Sequence, residues 1–265
     1  MMKNKQQELF ENKKRYKYKD VLKNIKSLIK MHSSGLLGGE EMPEDSMPGS
    51  IKIGSFENFH FLTLPMALNY QRNSYTLWKA AAKAFEDEEC SDIFYPDKVI
   101  HMSVNELRKK LIKHKVALQP NKHIDIWFRI CETVCKYYKG DIRNVISSNN
   151  YDVSAIRKDV QCAYKKGFPY LSGEKIFNYW LYVLDEYTNI ELVNKNEITV
   201  APDTHIIQAT VHLGLLDKSI EELMKNRVEV ADIWKEYLSK TDINPIDIHT
   251  PLWLWSKADF PVISH

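Results

Sequence analysis

The sequence predicts an all-α fold. Three observations carry this. Apolar residues recur at helical spacing through most of the chain. Ser and Asp stand repeatedly just before such runs, where helices start. Only nine glycines occur in 265 residues, and 44% of the residues are hydrophobic, enough for a substantial core. A single stretch, "IELVNKNEITV", looks strand-like, as a small hairpin or an extended loop.

Taken in order, residues 1–19 look disordered. Residues 20–32 can form a short amphipathic helix with Val21, Ile25, Leu28 and Ile29 on one face. "SSGLLGGEEMPEDSMPGS" holds four glycines and two prolines in a polar, acidic setting and reads as a linker or long loop. From about residue 56 helix follows helix. "ENFHFLTLPMALNY" comes first, then "SYTLWKAAAKAFEDEE", opened by Ser74. Ser103 with Glu106 three residues later is a capping box before "VNELRKKLIKHK". "NKHIDIWFRICETVCKYY" runs to a stop at Gly140, and "GEKIFNYWLYVLDEY" is apolar almost all round, as in a central helix. "PDTHIIQATVHLG", "SIEELMKN" (opened by Ser219), "EVADIWKEYLSK" and "IDIHTPLWLWSK" complete about nine or ten helices with short connections.

Charge is unevenly spread. Residues 1–30 carry ten Lys/Arg against three Asp/Glu, a net +7, so the remaining 235 carry −5. A basic arm could touch a polyanion; a mildly acidic body would need a local patch to do so. No apolar run is long enough to span a membrane, and the basic N-terminus lacks the apolar segment of a secretory signal, so an intracellular protein is expected, in cytoplasm and nucleoid or in a nucleus. Cys131 and Cys135 lie one turn apart, but with Trp127, Ile130, Val134 and Tyr138 they form an apolar face and read as core rather than metal ligands. His205 and His212 lack a third ligand at regular spacing and read as surface or satisfied histidines.

Two charged groups carry chemistry. Lys175 falls in the first turn of an apolar helix after a turn marked by Pro169 and Gly173. The positive helix start and neighbours such as Phe177 and Trp180 would disfavour an ammonium there, and a neutral amine can form a Schiff base. Alternatively, Lys175 is simply exposed at a helix start. The same turn, with Ser172 and Gly173, presents backbone N–H groups suited to a phosphate oxygen. Asp203 is a preferred N-cap for the helix from Thr204. A fixed carboxylate can also help an amine nucleophile and stabilise a positive sugar. Six Trp and fourteen Tyr supply mostly core, with some rings able to stack on an extruded base.

The order of these pieces resembles the helix-hairpin-helix DNA glycosylase superfamily, of the endonuclease III-like fold. The resemblance rests on Gly173-Glu174-Lys175, on Asp203-Thr204-His205, on the upstream helix ending in "YYKGD", and on the downstream "IDIHTPLWLWSK"; it covers about residues 56–260. The family's usual hairpin is Leu-Pro-Gly-x-Gly-x-Lys. Here Leu171 stands at the first glycine and the proline is displaced by one. The lysine-to-aspartate gap is 28 residues, lengthened by "TNIELVNKNEITVA". Both features look more like the archaeal GO glycosylase branch, which removes 8-oxoguanine, and the tail "INPIDIHTPLW" is similar to that branch's.

The resemblance implies a bifunctional enzyme of base-excision repair. Its partner would be duplex DNA carrying a damaged base, without membrane association, and the protein a monomer. Lys175 would be the nucleophile, Asp203 its helper, and Ser172 and Gly173 backbone contacts. Trp78, Tyr179 and Trp253 would line the lesion pocket, with His249 where the branch has an aspartate. No cofactor is implied, and with no cysteine after Cys162 no iron–sulfur cluster is expected. The implied architecture has a basic arm and linker at 1–50, then a domain at 51–265. That domain would comprise two helical subdomains, 98–202 and 56–97 plus 203–265, with a cleft between them. Two other readings stay open: a non-catalytic helical module that binds DNA structure, and a monofunctional glycosylase in which Asp203 activates water.

Overall fold

A computed structural model describes residues 20–38 and 42–264. The expected disorder at 1–19 lies outside the described residues. Thirteen α-helical segments are present among the described residues, joined by 3-10 turns, and no strand is formed there. The fold is all-α. No described helix is long and apolar enough to cross a membrane. "IELVNKNEITV" is an extended loop with one isolated bridge, Val193 to Asp152, and a 3-10 turn at Lys195–Glu197.

The chain divides into two compact units, one of residues 1–39 and 199–265, the other of 40–198. This differs from the expected division. Residues 56–97 pack within the second unit instead of joining 203–265, because tryptophans of its later helices are tied to them: Trp127 Nε1 donates to Ile93 O (2.8 Å) and Trp180 Nε1 to Thr63 Oγ1 (2.8 Å).

In the first unit, α1 (20–33) buries Val21, Ile25 and Leu28 in the core, so this stretch is part of the domain. It belongs with α10 (Thr204–His212), α11 (Ile220–Lys225), α12 (Arg227–Leu238) and α13 (His249–Lys257). Ser219 and Glu222 form a reciprocal capping box on α11. Trp234, fully buried on α12, donates its indole N–H to Thr210 Oγ1 (2.9 Å).

The second unit holds α2 (Phe56–Thr63), α3 (Ser74–Glu86), α4 (Pro96–Val99), α5 (Val104–Lys113), α6 (Lys122–Tyr138), α7 (Arg143–Ser147), α8 (Val153–Arg157) and α9 (Glu174–Tyr187). The first expected helix is interrupted at Pro65, after which a 3-10 turn spans Met66–Leu68. Asn73, one residue before the expected cap, starts α3 by accepting from Thr76 N (3.0 Å). Ser103 caps α5, but Glu106 does not complete the box. Along α6, Trp127, Ile130, Cys131, Val134 and Tyr138 are buried as the periodicity predicts, while Cys135 is half-exposed. Lys139 takes the left-handed conformation just before Gly140 and ends the helix. His60 ties α2 to the start of α7: its Nδ1–H donates to Phe56 O (2.7 Å) and Nε2 accepts from Ile142 N (3.3 Å).

Candidate functional site

The start of α9 is built from a tight turn. Gly167 lies so close to Thr133 on α6 that no side chain could fit there. Leu171, at the position of the family's first glycine, is fully buried and anchors the turn. Tyr170 takes the left-handed conformation, and Gly173 N–H donates to its carbonyl (2.9 Å). A Cβ on Gly173 would meet that same carbonyl at 3.1 Å. Gly173 is the N-cap and no side chain caps the helix, so its first N–H groups are presented outward. An open groove of about 460 Å³ lies there, lined by Gln161, Lys165, Tyr170, Ser172, Gly173 and Glu174. Lys122 sits over the Tyr170 ring (4.8 Å), and the exposed Tyr70 packs beside it (5.3 Å). This is a basic and aromatic rim on a helix start, the elements that hold a phosphate oxygen.

Glu174 is the one acid in the groove wall. Burial pushes its carboxyl up, but Arg157 and hydrogen bonds from Gln161 and Asn178 outweigh this and hold it below its usual value. Arg157 Nη1 lies 2.7 Å from Glu174 Oε1. The same guanidinium donates to Asn178 Oδ1 (2.9 Å) and Glu197 O (3.1 Å) and stacks on Phe177 (4.9 Å), so it also pins the 28-residue gap segment to α9.

Lys175 is exposed. The expected desolvation by Phe177 and Trp180 does not occur, because those positions point around the helix into the core, where both rings are fully buried. What lies on the Lys175 side is Tyr179, one turn along at i+4. Tyr179 is partly buried and donates its hydroxyl to Glu44 Oε2 (3.2 Å).

Glu44 is a functional candidate that sequence reasoning missed. It sits in the acidic glycine- and proline-rich stretch read as a linker, yet it is 1% exposed. Pro43 starts a 3-10 turn at Pro43–Ser46 that packs on α3 and carries Glu44 inward, while Asp45 on the other side accepts from Met42 N (2.6 Å) and the Tyr187 hydroxyl (2.8 Å). Glu44 Oε1 has no hydrogen-bond partner among the described residues. Burial, countered in part by hydrogen bonds from its own backbone and Tyr179, pushes its carboxyl up to about 7.

Trp78 gives a matching observation on α3. Of the four fully buried tryptophans, Trp127, Trp180 and Trp234 each donate their indole N–H; Trp78 Nε1 has no acceptor among the described residues. Leaving such groups unpaired costs about 1–3 kcal/mol each. The turn at 43–46 and α3 therefore hold an unmatched acceptor and an unmatched donor on packed neighbours. No sequence signal distinguishes Glu44 from its acidic neighbours except the proline before it.

In the first unit, Asp203 caps α10 as expected: its Oδ1 accepts from Ile206 N (3.0 Å). The helix packs on α13, which carries His249 and Trp253. His249 is buried, and its Nδ1 accepts from Ala201 N (3.4 Å). A histidine accepting there carries its proton on Nε2 when neutral, and the bond fixes the backbone two residues before Asp203. Trp253 is half-buried, edge-on to His205 (5.3 Å) and covered by Lys257 (4.7 Å). His205 Nδ1 lies 3.2 Å from Ser256 Oγ, a satisfied histidine, and His212 is exposed and stacks on Phe260 at 4.2 Å, a surface one.

The nominated residues thus fall into two sets. Lys175, Ser172, Gly173, Tyr179 and Trp78 belong to one unit, Asp203, His249 and Trp253 to the other. Compared with known proteins, the chain matches no family model and no curated sequence.

Proposed function

We propose that the protein is a DNA glycosylase with AP-lyase activity that excises a damaged base, an oxidised purine of the 8-oxoguanine kind. The observation that carries the reading is the row on one side of α9: the Lys175 amine, the Tyr179 hydroxyl one turn along, and the half-satisfied Glu44 beyond it, next to an uncapped helix start with a groove. The groove and the first N–H groups of α9, from Glu174 onward, suit a backbone phosphate, whereas the expected donors do not, since Ser172 N–H is given to Phe168 O and Gly173 N–H to Tyr170 O (both 2.9 Å). Trp78 offers a donor and Glu44 an acceptor to an extruded base.

In this reading Lys175 Nζ, as the free amine, attacks C1′ while the C1′–N glycosidic bond breaks. The base leaves with the bonding pair and takes up a proton. A carboxylate of the kind Asp203 supplies balances the positive charge that develops on the sugar. The amine proton passes to O4′ as the ring opens, leaving a Schiff base between Nζ and C1′. Loss of a C2′ proton then expels the 3′ phosphate and nicks the strand. The scheme uses no metal or organic cofactor.

The test is borohydride trapping on duplexes carrying single lesions or an abasic site. A covalent adduct with the wild type and none with Lys175→Gln is the expected result. No adduct with any substrate would remove the lyase activity, and an adduct with Lys175→Gln would remove the assignment of the nucleophile. One observation favours a second reading, a non-catalytic module that binds DNA structure: Lys175 is exposed. That reading predicts salt-sensitive binding without an adduct.

A further inference from the structure

Away from these residues, Asp87, Cys90 and His114 converge within the second unit. Asp87 follows the last residue of α3, Cys90 stands just before the 3-10 turn Ser91–Phe94, and His114 is the C-cap of α5. Their ligand atoms all lie within 4.8 Å of one another. His114 Nε2 is 2.6 Å from Asp87 Oδ2. Cys90 is 1% exposed, and its thiol is pushed up by burial, by the Asp87 carboxylate and by a hydrogen bond to it. Asp87 Oδ2 also receives Lys113 Nζ (2.7 Å), so one carboxylate oxygen already gathers two cationic or hydrogen-donating groups. Its Oδ1 accepts from Glu89 N (3.0 Å), which fixes the carboxylate in place.

We propose that this cluster is a zinc site, with Asp87 Oδ2, Cys90 Sγ and His114 Nε2 as ligands and a water as the fourth. One thiolate, one imidazole and one carboxylate is a donor set that suits a borderline ion such as Zn²⁺ over Mg²⁺ or Ca²⁺, which want oxygen alone. Two of the donors sit three residues apart, and the third comes from a neighbouring helix end, so the metal would staple α3 to α5. Binding releases the thiol proton to solvent as the S–Zn bond forms. The Nε2 proton of His114 passes to solvent or to Nδ1. Lys113 gives up Asp87 and keeps Glu89, whose Oε2 already lies 2.7 Å from its Nζ. The sequence offered no hint, because the ligands fall on three separate elements and only Cys131/Cys135 and His205/His212 showed helical spacing.

The site is tested on untagged, full-length protein stripped with chelator and titrated with Co²⁺, then with Zn²⁺. One equivalent of Co²⁺ should give a thiolate-to-cobalt charge-transfer band that Zn²⁺ abolishes, and Zn²⁺ should raise the melting temperature. Cys90→Ser should lose the band and Cys162→Ser, at the exposed cysteine, should keep it. Because Cys90 is buried, His114→Gln at the part-exposed edge serves as the second variant. It should weaken Co²⁺ binding at least about tenfold, as loss even of an outer-shell partner does. Absence of the band in wild type, its persistence in Cys90→Ser, or unchanged affinity in His114→Gln would each overturn the proposal.

Discussion

The starts of α9 and α10 were both nominated from sequence, and they are built in opposite ways. Asp203 caps α10 with its own carboxylate. Gly173 leaves α9 without a side-chain cap, over a groove. A capped start consumes its donors and fixes a charge; a bare start keeps its donors for a ligand and places nothing of its own in the way. In the proposed enzyme the first suits a group that must hold still beside a developing cation, and the second suits a surface that must receive a phosphate.

The largest effect should come from Lys175. Lys175→Gln should abolish the borohydride adduct while leaving the melting temperature unchanged, since the side chain is exposed. A lower melting temperature would show that Lys175 is structural. At the other helix start, charge and capping can be separated. Asn caps as well as Asp, so Asp203→Asn should keep stability and slow base release by about 10²-fold, the scale of positioned acid–base groups. Asp203→Ala should lose in addition roughly 1 kcal/mol of stability in urea melts. If Asn restores both, Asp203 is a cap and nothing more.

Two buried groups of the second unit make a smaller, pH-dependent comparison. His60, partnered on both nitrogens, is lowered from 6.5 to about 4, chiefly by burial, so its contribution is present above pH 6.5 and lost as pH falls through 4. Glu44 is raised from 4.5 to about 7, so its contribution is present below 4.5 and lost as pH rises through 7. The slopes oppose each other between these limits. Glu44→Gln should remove the alkaline loss and stabilise the protein at pH 8 by on the order of 3 kcal/mol, leaving the acid loss in place. Urea melts at pH 5 and pH 8 measure this, and an unchanged difference between the two would show that Glu44 is not held as the neutral acid. The smallest effect belongs to the groove: Gly173→Ala, which brings a Cβ to 3.1 Å from the Tyr170 carbonyl, should weaken DNA binding and reduce the salt slope by about one phosphate's worth. An unchanged slope would detach the groove from DNA.

Truncation sharpens the account of the basic arm. Because α1 supplies Ile25 and Leu28 to the core, a truncation that tests the basic arm must stop before residue 20. Removal of residues 1–19 should flatten the salt dependence of DNA binding.

Local rules were readable in the chain. Asp203 and Ser219 are caps, and most of the α6 face is buried where its period places it. Each depends on neighbours within about four residues, where backbone hydrogen bonding and side-chain period act. The site was only partly legible. Lys175 and Gly173 could be located but not their surroundings, and the helical phase turned Phe177 and Trp180 away from the amine. Glu44 looked like one acid among several in a linker.

What sequence alone determined, then, was the all-α class and most of the longer helices, because period and capping are local; the four- and five-residue α4, α7 and α8 were not read. Only the tertiary structure decided which of them share a core, that residues 56–97 join the second unit, that Glu44 and Trp78 are buried with open hydrogen-bonding atoms, and that Asp87, Cys90 and His114 meet. Burial and convergence depend on which distant surfaces pack together, and no local pattern in this chain encodes that partner.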